Sequence, residues 1–411
     1  MKVDSIFECA RIMTPAGRKA KSAESMCDIR FIEDAAIAVL DGRIEACGRR
    51  ALILSKYSGK KVPLDDCTVI PSFVDCHSHA LFAGSRENEL ARKLRGDSYM
   101  DILKSGGGIL HTLERTREAS PNQLITETVP RLRGMLAGGT TCVEVKSGYG
   151  LNLEHELKML SVANRLSSMR QKVVPTYMGA HAIPPDARRS DYLSEIVDLH
   201  LPAVRKRGLS ALCDVFIEDG AFTPEEGLHI LAAAGRLGFG LSAHIDEFSC
   251  TGAAEDIAAL GAVSVSHLAH TPRSSFSALA SSGTTGIILP STPLFSMARH
   301  FPDAASMISS GMAVAIGTDL SPNSWNESMM FSCILAVYAC GLRQEEALTA
   351  ATLNSASCIG MGGELGSIEQ GKRADFICLD LDAASKIFYR NSDSMIRSVY
   401  SGGVRVRRTA C

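Results

Sequence analysis

The sequence lacks several features that would assign the protein to a common class. It has no Cys-x-x-Cys pair, no uninterrupted apolar stretch of the length a membrane span needs, and no excess of either charge, with 43 Lys and Arg against 45 Asp and Glu. These absences argue against a cysteine zinc site, a membrane span, and a nucleic acid or membrane surface as partner. The first residues also lack the pattern of a signal peptide, so we expect a cytoplasmic protein.

Cysteine itself is not scarce, since the chain has 13 among 411 residues. An odd number without a compact spacing pattern is not a disulfide framework. Thiols of this kind are typical small core residues in a reducing compartment. Nine cysteines lie in segments with the pattern of apolar strands or helices: Cys47, Cys67, Cys76, Cys142, Cys213, Cys333, Cys340, Cys358 and Cys378.

Both ends of the chain have the pattern of β-structure. Residues 36–48 form two alternating apolar segments around Asp41-Gly42, and Asp-Gly in this position is a strong hairpin signal. The C-terminal segment is similar, with Gly402-Gly403 at its turn. We therefore predict one small β-sandwich domain assembled from both termini, residues 1–66 and 362–411.

The middle of the chain, residues 67–361, alternates strand and helix patterns. Eight strands alternating with helices favour a (β/α)8 TIM-like barrel. An open doubly wound sheet is the alternative, but no Gly-x-Gly-x-x-Gly follows the first predicted strand. The eight predicted strands lie at residues 69–76, 140–147, 172–182, 213–218, 240–246, 262–268, 285–290 and 313–319, and helical patterns include 153–166, 192–205, 224–237 and 252–260.

Ionisable residues end most of these predicted strands, where barrel active sites lie. Residues at i and i+2 of a strand point to the same side, so His77 and His79 are expected to face one point in the barrel. With His244 and Asp319 they form a set of nitrogen and oxygen ligands that suits one divalent ion, zinc or iron. The other strand-end residues are Lys146, His181, Glu218, Asp219 and His267.

The number of metal ions depends on whether a bridging ligand is present. Two-metal barrels of this type use a carbamylated lysine on the fourth strand, and the fourth predicted strand carries Glu218 but no lysine. We therefore predict one metal, and we interpret Lys146, on the second strand, as an ion-pair partner. The remaining histidines fall in helix patterns or loops and are expected at the surface: His111, His155, His200, His229, His270 and His300.

The motifs along nearly the whole chain resemble those of the imidazolonepropionase family in the amidohydrolase superfamily. The specific ones are the segments around the predicted metal ligands, whereas the C-terminal motif is common to the superfamily. The segments that carry the resemblance are His77-Ser-His79, residues 83–89 and 106–109, Lys146-Ser-Gly-Tyr149-Gly, Gly179-Ala-His181, His244-Ile-Asp-Glu247, His267-Leu, Gly317-Thr-Asp319 and residues 371–376.

The resemblance implies a hydrolase that opens the lactam C–N bond of 4-imidazolone-5-propanoate by a metal-activated water. The product would be N-formimidoyl-L-glutamate, in histidine degradation. The implied partner is therefore a small molecule with a carboxylate, and by analogy the chain forms a homodimer. The implied catalytic residues are His181, Glu247, His267 and Asp319, and the implied substrate-binding residues are Arg86, Tyr99, Tyr149, His181, Glu247, Ser321, Asn323 and Ser324.

The side-chain chemistry of these positions fits such a substrate. Arg86 offers a planar fork for the carboxylate, although a surface salt bridge with Glu87 or Glu89 is the simpler alternative. We expect His181 to donate to the ring carbonyl oxygen and Glu247 to hold a ring nitrogen or move a proton, while His267 or Asp319 takes the proton of the water. Tyr99 and Tyr149 have the alternative of being ordinary amphipathic core residues.

One segment departs from the family pattern. The family usually has Asn-Pro-Gly shortly after the last metal ligand, whereas this chain has Ser321 and Asn323 at the Asn and Gly positions. A contact made through the backbone amide at the second position would be retained by Asn323, and Ser321 keeps a hydroxyl that is shorter than an amide side chain.

Two other functions remain open from the sequence. The first is a mononuclear aminohydrolase or amidohydrolase that acts on a related cyclic amide or amidine, such as a nucleobase. Arg86 argues against a neutral base, which has no use for a buried guanidinium. The second is a non-catalytic assembly protein derived from this superfamily, which the complete set of predicted ligands disfavours.

Overall fold

The computed structural model describes residues 1–97, 101–102, 105–167, 169–381, 383–390 and 395–406. The strands are labelled in chain order. They are β1 (Lys2–Thr14), β2 (Arg30–Leu40), β3 (Arg43–Arg49), β4 (Ser58–Pro71), β5 (Phe73–Asp75), β6 (Thr140–Lys146), β7 (Lys172–Ala180), β8 (Leu212–Ile217), β9 (Gly240–Ile245), β10 (Ser264–His267), β11 (Thr285–Ile288), β12 (Val314–Ile316), β13 (Phe376–Leu379), β14 (Ile396–Ser401) and β15 (Val404–Val406).

Helices occupy most of the connections between the strands. The α-helices are Arg50–Lys56, Asn88–Leu94, Ile109–Glu118, Pro121–Ala137, Leu153–Leu166, Arg189–Glu195, Leu201–Lys206, Pro224–Arg236, Ala254–Ala259, Arg273–Ser282, Ser291–Phe295, Ala304–Ser309, Met329–Cys340, Gln344–Thr349 and Ser355–Cys358. Two π-helical turns, Ile196–His200 and Ala350–Asn354, lie between α-helices. Among the described helices, none combines the length and apolar character that crossing a membrane requires.

The two ends of the chain share one seven-stranded sheet, in the order β15-β14-β13-β4-β1-β2-β3. It is a single rolled sheet rather than two separate sheets, because its end hairpins meet: the Ala374 N–H donates to Gly42 O at 2.9 Å and the Gly403 N–H donates to Ala374 O at 2.8 Å. The rings of Phe7, Phe376 and Tyr400 pack inside the roll with centroids 4.8–5.0 Å apart. The predicted small β domain from both termini is thus confirmed.

Both predicted hairpin turns are present in this sheet. Asp41 and Gly42, between β2 and β3, have φ values of 48° and 72°, and Gly402 and Gly403, between β14 and β15, have 58° and 72°. Positive φ at both central residues is what a type I′ turn requires, and Asp-Gly and Gly-Gly adopt it at low cost. Each turn therefore has the residues that its geometry demands.

The middle of the chain forms the predicted barrel of eight parallel strands, in the order β5 to β12. Seven predicted runs match β6 to β12 closely. The first run, 69–76, divides between two sheets, since β4 continues to Pro71 in the small domain and β5 begins at Phe73. The proposed boundary between residues 66 and 67 falls within β4, and both domain boundaries stay predictions.

The barrel closes through the segments that follow β5 and β12. The Asp319 N–H donates to His77 O at 3.0 Å, and the His79 N–H donates to Leu320 O at 2.8 Å. The Thr318 N–H donates to the buried carboxylate of Asp75 at 3.1 Å. We call this set of contacts the closure seam. It places three of the predicted metal ligands on the two sides of one junction.

The core explains most of the cysteines. The described cysteines are free, and of the nine expected in the core only Cys47 is partly exposed. In the barrel, Cys76, Cys142 and Cys358 pack together between the strands and the helix Ser355–Cys358. They behave as small apolar residues there, since burial raises the pKa of the Cys76 and Cys142 thiols.

Candidate active site and metal centre

The four predicted metal ligands converge at the carboxyl end of the barrel. The Nε2 atoms of His79 and His244 lie 3.3 Å apart. Asp319 Oδ1 lies 3.7 Å from His77 Nε2 and 3.6 Å from His79 Nε2. A tetrahedral ion with bonds of about 2.0–2.1 Å holds its ligand atoms roughly 3.4 Å apart. The spacing fits a divalent ion in two overlapping sets of three side chains, His77, His79 and Asp319 on one side and His77, His244 and His267 on the other.

His77 gives a second indication of a metal site. Its ring is fully buried, and Nε2 has no hydrogen-bond partner among the described residues. Nδ1 lies 2.9 Å from Ser266 Oγ, which orients Nε2 toward His79 and His244. An orphaned buried nitrogen is costly unless something binds it. Burial lowers the pKa of His77 and of His79 well below the ordinary value, so both rings are neutral, as metal ligands must be.

The third imidazole, His244, is held by a chain of buried charges. Its Nδ1 donates to Asp214 Oδ1 at 2.8 Å. The other carboxylate oxygen of Asp214 accepts from Lys146 Nζ at 2.7 Å, and Lys146 also donates to Glu144 at 2.9 Å. Although burial opposes it, His244 and Lys146 hold the pKa of Asp214 well below its usual range. The interpretation of Lys146 as an ion-pair partner agrees with these contacts.

Asp214 was missed by the sequence reasoning, although one signal was available. It is a charged residue inside the otherwise apolar strand β8, where a carboxylate is costly unless it is paired. Residues two and four positions later on one strand face the same side, so Asp214 lies on the face that also carries Phe216 and Glu218. A carboxylate behind a ligand histidine fixes the ring orientation and raises its basicity.

Asp319 sits in a strained position at the end of the barrel. Its backbone has a left-handed φ of 51°, and φ is also positive at His267 (74°) and Leu268 (60°). Such backbone conformations in non-glycine residues are concentrated at functional sites. The Asp319 Oδ2 atom accepts from Thr292 Oγ1 at 2.7 Å, which turns Oδ1 toward the histidines. In the absence of a cation, burial raises the pKa of Asp319 to about 7.

A cavity opens above this cluster. The predicted residues that line it are His79, Arg86, Tyr149, His181, His244, Glu247, His267, Asp319, Ser321 and Asn323. His77 lies deeper, and Ser324 is buried outside the lining, where its N–H donates to Ser321 Oγ at 3.1 Å. Tyr99 lies outside the described residues. Ile109, Phe216 and Phe248 complete the wall.

His267 and Glu247 form a pair beside the metal cluster, with His267 Nε2 3.5 Å from Glu247 Oε2. Burial, together with the charges of Asp319 and Glu218, raises the pKa of Glu247 well above its usual value. Burial also lowers the pKa of His267 well below its usual value. The pair therefore combines a neutral carboxylic acid with a neutral imidazole, which is suited to both donating and accepting a proton.

His181 presents one ring nitrogen to the cavity. Its Nδ1 lies 3.0 Å from Gly148 O. Since a carbonyl oxygen can only accept, Nδ1 carries the proton of the neutral ring. The ring stacks on His79 with centroids 5.0 Å apart. Burial lowers the pKa of His181 to about 3, which keeps the ring neutral.

The loop that carries Tyr149 is held by a carboxylate that sequence reasoning also missed. The Glu156 side chain is fully buried and accepts the N–H groups of Gly148, Gly150 and Leu151 at 2.8–3.1 Å. The sequence does not indicate this role, because Glu156 lies in the helix Leu153–Leu166, whose residues follow an ordinary amphipathic pattern. Glu156 thus shapes the loop at the mouth of β6.

Arg86 is buried and lines the cavity, yet it also makes the salt bridge that was its alternative interpretation. Its Nε and Nη2 atoms donate to Glu89 Oε2 at 3.0 and 2.9 Å. Nη1 makes no hydrogen bond to any residue that the structure describes. One edge of the guanidinium is therefore anchored to Glu89 at the wall of the cavity.

One of the histidines expected at the surface is buried instead. His200 is fully buried on the outer side of the barrel, with Nδ1 2.8 Å from the Tyr177 hydroxyl and Nε2 2.9 Å from Glu195. The prediction was wrong because His200 lies on the inward face of a π-helical turn. The other five histidines expected at the surface are exposed or partly exposed: His111, His155, His229, His270 and His300.

Comparison with solved structures shows the fold. A zinc-containing adenosine deaminase from Xanthomonas campestris is 20% identical with a TM-score of 0.72, covering 98% of this chain and 93% of that one. A triazine hydrolase variant is 17% identical with a TM-score of 0.72, covering 98% of this chain and 94% of that one. At these identities the likeness concerns the architecture alone.

Sequence relatives are closer. The chain matches the amidohydrolase family over residues 68–406. An imidazolonepropionase from Thermoanaerobacter pseudethanolicus is 39% identical over 398 residues, which is 96% of this chain and 95% of the relative. One from Haloarcula marismortui is 38% identical over 376 residues, 90% of this chain and 89% of the relative. The chain therefore belongs to the amidohydrolase family and, within it, to the imidazolonepropionases.

Proposed function

We propose that the protein hydrolyses the lactam C–N bond of 4-imidazolone-5-propanoate to N-formimidoyl-L-glutamate, a step of histidine degradation. The observation that carries the proposal is that one cavity brings together a cluster of histidines with a carboxylate, a neutral acid–base pair and a buried guanidinium. The histidine and carboxylate cluster can hold a metal ion that activates water for attack on a carbonyl group. The acid–base pair can transfer protons, and the guanidinium can bind a carboxylate tail.

The metal part of the proposal is one divalent ion, zinc or iron, held by His77, His79, His244 and Asp319. A divalent ion bound there lowers the pKa of a water toward about 7 and polarises a carbonyl group, so that a nucleophile exists at neutral pH. The orphaned His77 Nε2 and the 3.3–3.7 Å spacing of the ligand atoms support this assignment.

The residues around the cluster account for the proton transfers. His267 Nε2 or the Asp319 carboxylate takes the proton of the attacking water, and the oxygen adds to the lactam carbonyl carbon. The neutral His181 ring keeps its proton on Nδ1 against Gly148 O, so its Nε2 faces the cavity as an acceptor, and it donates to the carbonyl oxygen only as an imidazolium formed while negative charge develops there. The tetrahedral intermediate then loses its bond to the ring nitrogen, which takes a proton from the neutral Glu247 carboxyl.

The propanoate tail is assigned to the opposite wall of the cavity. The Arg86 guanidinium is assigned to the carboxylate, and Tyr149, Ser321 and the backbone N–H of Asn323 supply further polar groups. Tyr99 and Ser324 stay predictions from the resemblance. We also propose that the enzyme is a cytoplasmic homodimer, which sedimentation of the purified protein tests.

The test is to offer freshly prepared imidazolone propanoate to the metal-loaded protein and to follow the loss of its ultraviolet absorbance. We expect turnover of this substrate and none of guanine, adenosine or cytosine, which represent the cyclic-amidine alternative. Deamination of a neutral base without hydrolysis of the lactam would overturn the proposal in favour of that alternative.

A further inference from the structure

Asn323 connects three loops at the mouth of the cavity. Its Oδ1 accepts from Lys93 Nζ at 2.8 Å and lies 3.4 Å from Arg86 Nη2. Its Nδ2 donates to Ser296 Oγ at 3.2 Å. The amide is therefore oriented with its oxygen toward two cations. Asn323 follows the last barrel strand, whereas Arg86 and Lys93 follow the first, so the contacts cross the closure seam.

The Lys93 ammonium does not extend into solvent but binds protein oxygens, and these contacts hold the helix Asn88–Leu94 in place. Besides Asn323 Oδ1, its Nζ donates to the carbonyl oxygens of Phe295 at 3.3 Å and Asn323 at 3.4 Å. Burial and the charge of Arg86 lower the pKa of this ammonium. Removing an ammonium from water is costly unless acceptors replace the water, and here three oxygens do so. Lys93 thus ties its helix to the barrel rim.

The guanidinium of Arg86 is held from two directions. Glu89 takes the edge formed by Nε and Nη2, and its other oxygen accepts the Gly108 N–H at 2.7 Å. On the far side Asn323 Oδ1 approaches Nη2. A group anchored at two points cannot rotate about its long axis. The guanidinium is therefore held in one orientation at the cavity wall before any ligand binds, which reduces the ordering cost of binding.

We propose, on the basis of the proposed function, that Asn323 and Lys93 form a clamp that positions Arg86 and sets the selectivity of the cavity for a carboxylate over a neutral group. Asn323 and Lys93 are positioning residues in this proposal, since they act through Arg86. The clamp contributes to binding of the anionic tail in the ground state and in the transition state alike, and so it affects KM and leaves kcat nearly unchanged.

The kinetic test compares Asn323→Ala and Lys93→Met with the wild-type enzyme. Each is expected to raise KM for imidazolone propanoate about tenfold, with kcat within about a factor of two. The double variant is expected to have the same KM as either single variant, because each substitution disrupts the same clamp on Arg86. Lys93→Arg keeps the positive charge and the N–H donors, so its KM is expected to lie much closer to the wild-type value than that of Lys93→Met. Arg95→Met, at the exposed end of the same helix, is the matched control and leaves KM unchanged.

A binding test does not depend on turnover. Calorimetry with imidazole-4-propanoate and with its neutral amide, on metal-loaded protein, is expected to show that Asn323→Ala weakens the acid and not the amide. Equal weakening of both, no weakening of either, or a wild-type protein that does not prefer the acid overturns the clamp. A wild-type protein that prefers the acid but does not hydrolyse the lactam overturns the proposed function and leaves the clamp standing.

Discussion

His244 depends on residues that never touch a ligand. The hydrogen bond from its Nδ1 to Asp214 fixes which ring nitrogen faces His79, and Lys146 fixes Asp214 in turn. No sequence motif predicts this series of contacts, because Lys146, Asp214 and His244 lie on three different strands, β6, β8 and β9. Spacing along the sequence pointed to the proposed ligands, since His77 and His79 lie two residues apart just after β5, but partners that meet only across strands were not accessible to it.

Replacing Asp214 tests this support. Asp214→Asn removes the charge and leaves Lys146 underpaired, and we expect metal affinity to fall by about 10–100-fold, with turnover falling in parallel. Competition with a chromogenic chelator measures the affinity directly. Glu255→Gln, an exposed acid on the helix Ala254–Ala259, serves as a control for the loss of one charge. Unchanged metal affinity in Asp214→Asn contradicts the orienting role.

The metal ligands have a simpler test. Asp319→Asn and His244→Ala are each expected to abolish turnover and to lower the metal content of the purified protein, because each removes one of the four proposed ligands. Elemental analysis of the protein after dialysis gives the metal content. Normal activity in either variant would remove that residue from the site.

Arg86 is expected to act mainly in binding. Arg86→Ala removes an interaction with the substrate carboxylate that exists before and during the reaction, so KM rises by about 10–100-fold and kcat changes less. Steady-state kinetics with imidazolone propanoate measures both. A normal KM in this variant means that the tail binds elsewhere. The salt bridge with Glu89 was the alternative interpretation of Arg86, and it is present but buried, while carboxylate binding stays a prediction.

At the scale of elements, the strands were the most predictable part of the molecule. The buried parallel strands β6 to β12 are apolar runs bounded by turn residues, which is the strongest pattern available. The loops after them were predictable only in position, because their conformations depend on buried acids such as Glu156 and Glu218. Glu218, for example, accepts the Phe248 N–H at 2.9 Å and so holds the loop that carries Glu247.

The Tyr149 loop gives a test at this scale. Glu156→Gln replaces an acceptor of three N–H groups by an amide that also points a donor at them, so we expect the free energy of unfolding to fall by about 2–4 kcal/mol. Urea unfolding followed by circular dichroism measures the change. Glu154→Gln, exposed on the same helix, is the control. Equal stability of the two variants contradicts the anchoring role.

At the scale of the whole molecule, the composite architecture could be predicted, but its connectivity could not. Two β-patterned ends around an alternating middle indicate a barrel and a domain built from both termini. Whether those end strands form two sheets or one rolled sheet depends on pairings between distant segments, such as β4 with β13. Pairings of this kind leave no periodic signal in either strand.

The closure seam makes metal binding a property of the whole fold. Since His77, His79 and Asp319 come from its two sides, an ion bound there links them, and removing it should lower the melting temperature by several degrees. Calorimetry of the chelated protein, before and after addition of zinc, measures the effect. In His77→Ala the response to zinc should be much smaller. A melting temperature that is independent of metal contradicts the linkage.

The seam also bears on how the protein is made. Synthesis delivers β4 and β5 early, but the partners that complete them, β13 and the segment around Asp319, come off the ribosome only near the end. Domains generally fold as units while the chain emerges from its N-terminus. In this protein the segment of His77 and His79, just after β5, lacks its contacts with the segment around Asp319 until the last quarter of translation. The active site and the closed barrel are therefore completed at the same stage of synthesis. A chain that terminates before this stage has neither a closed barrel nor a complete active site.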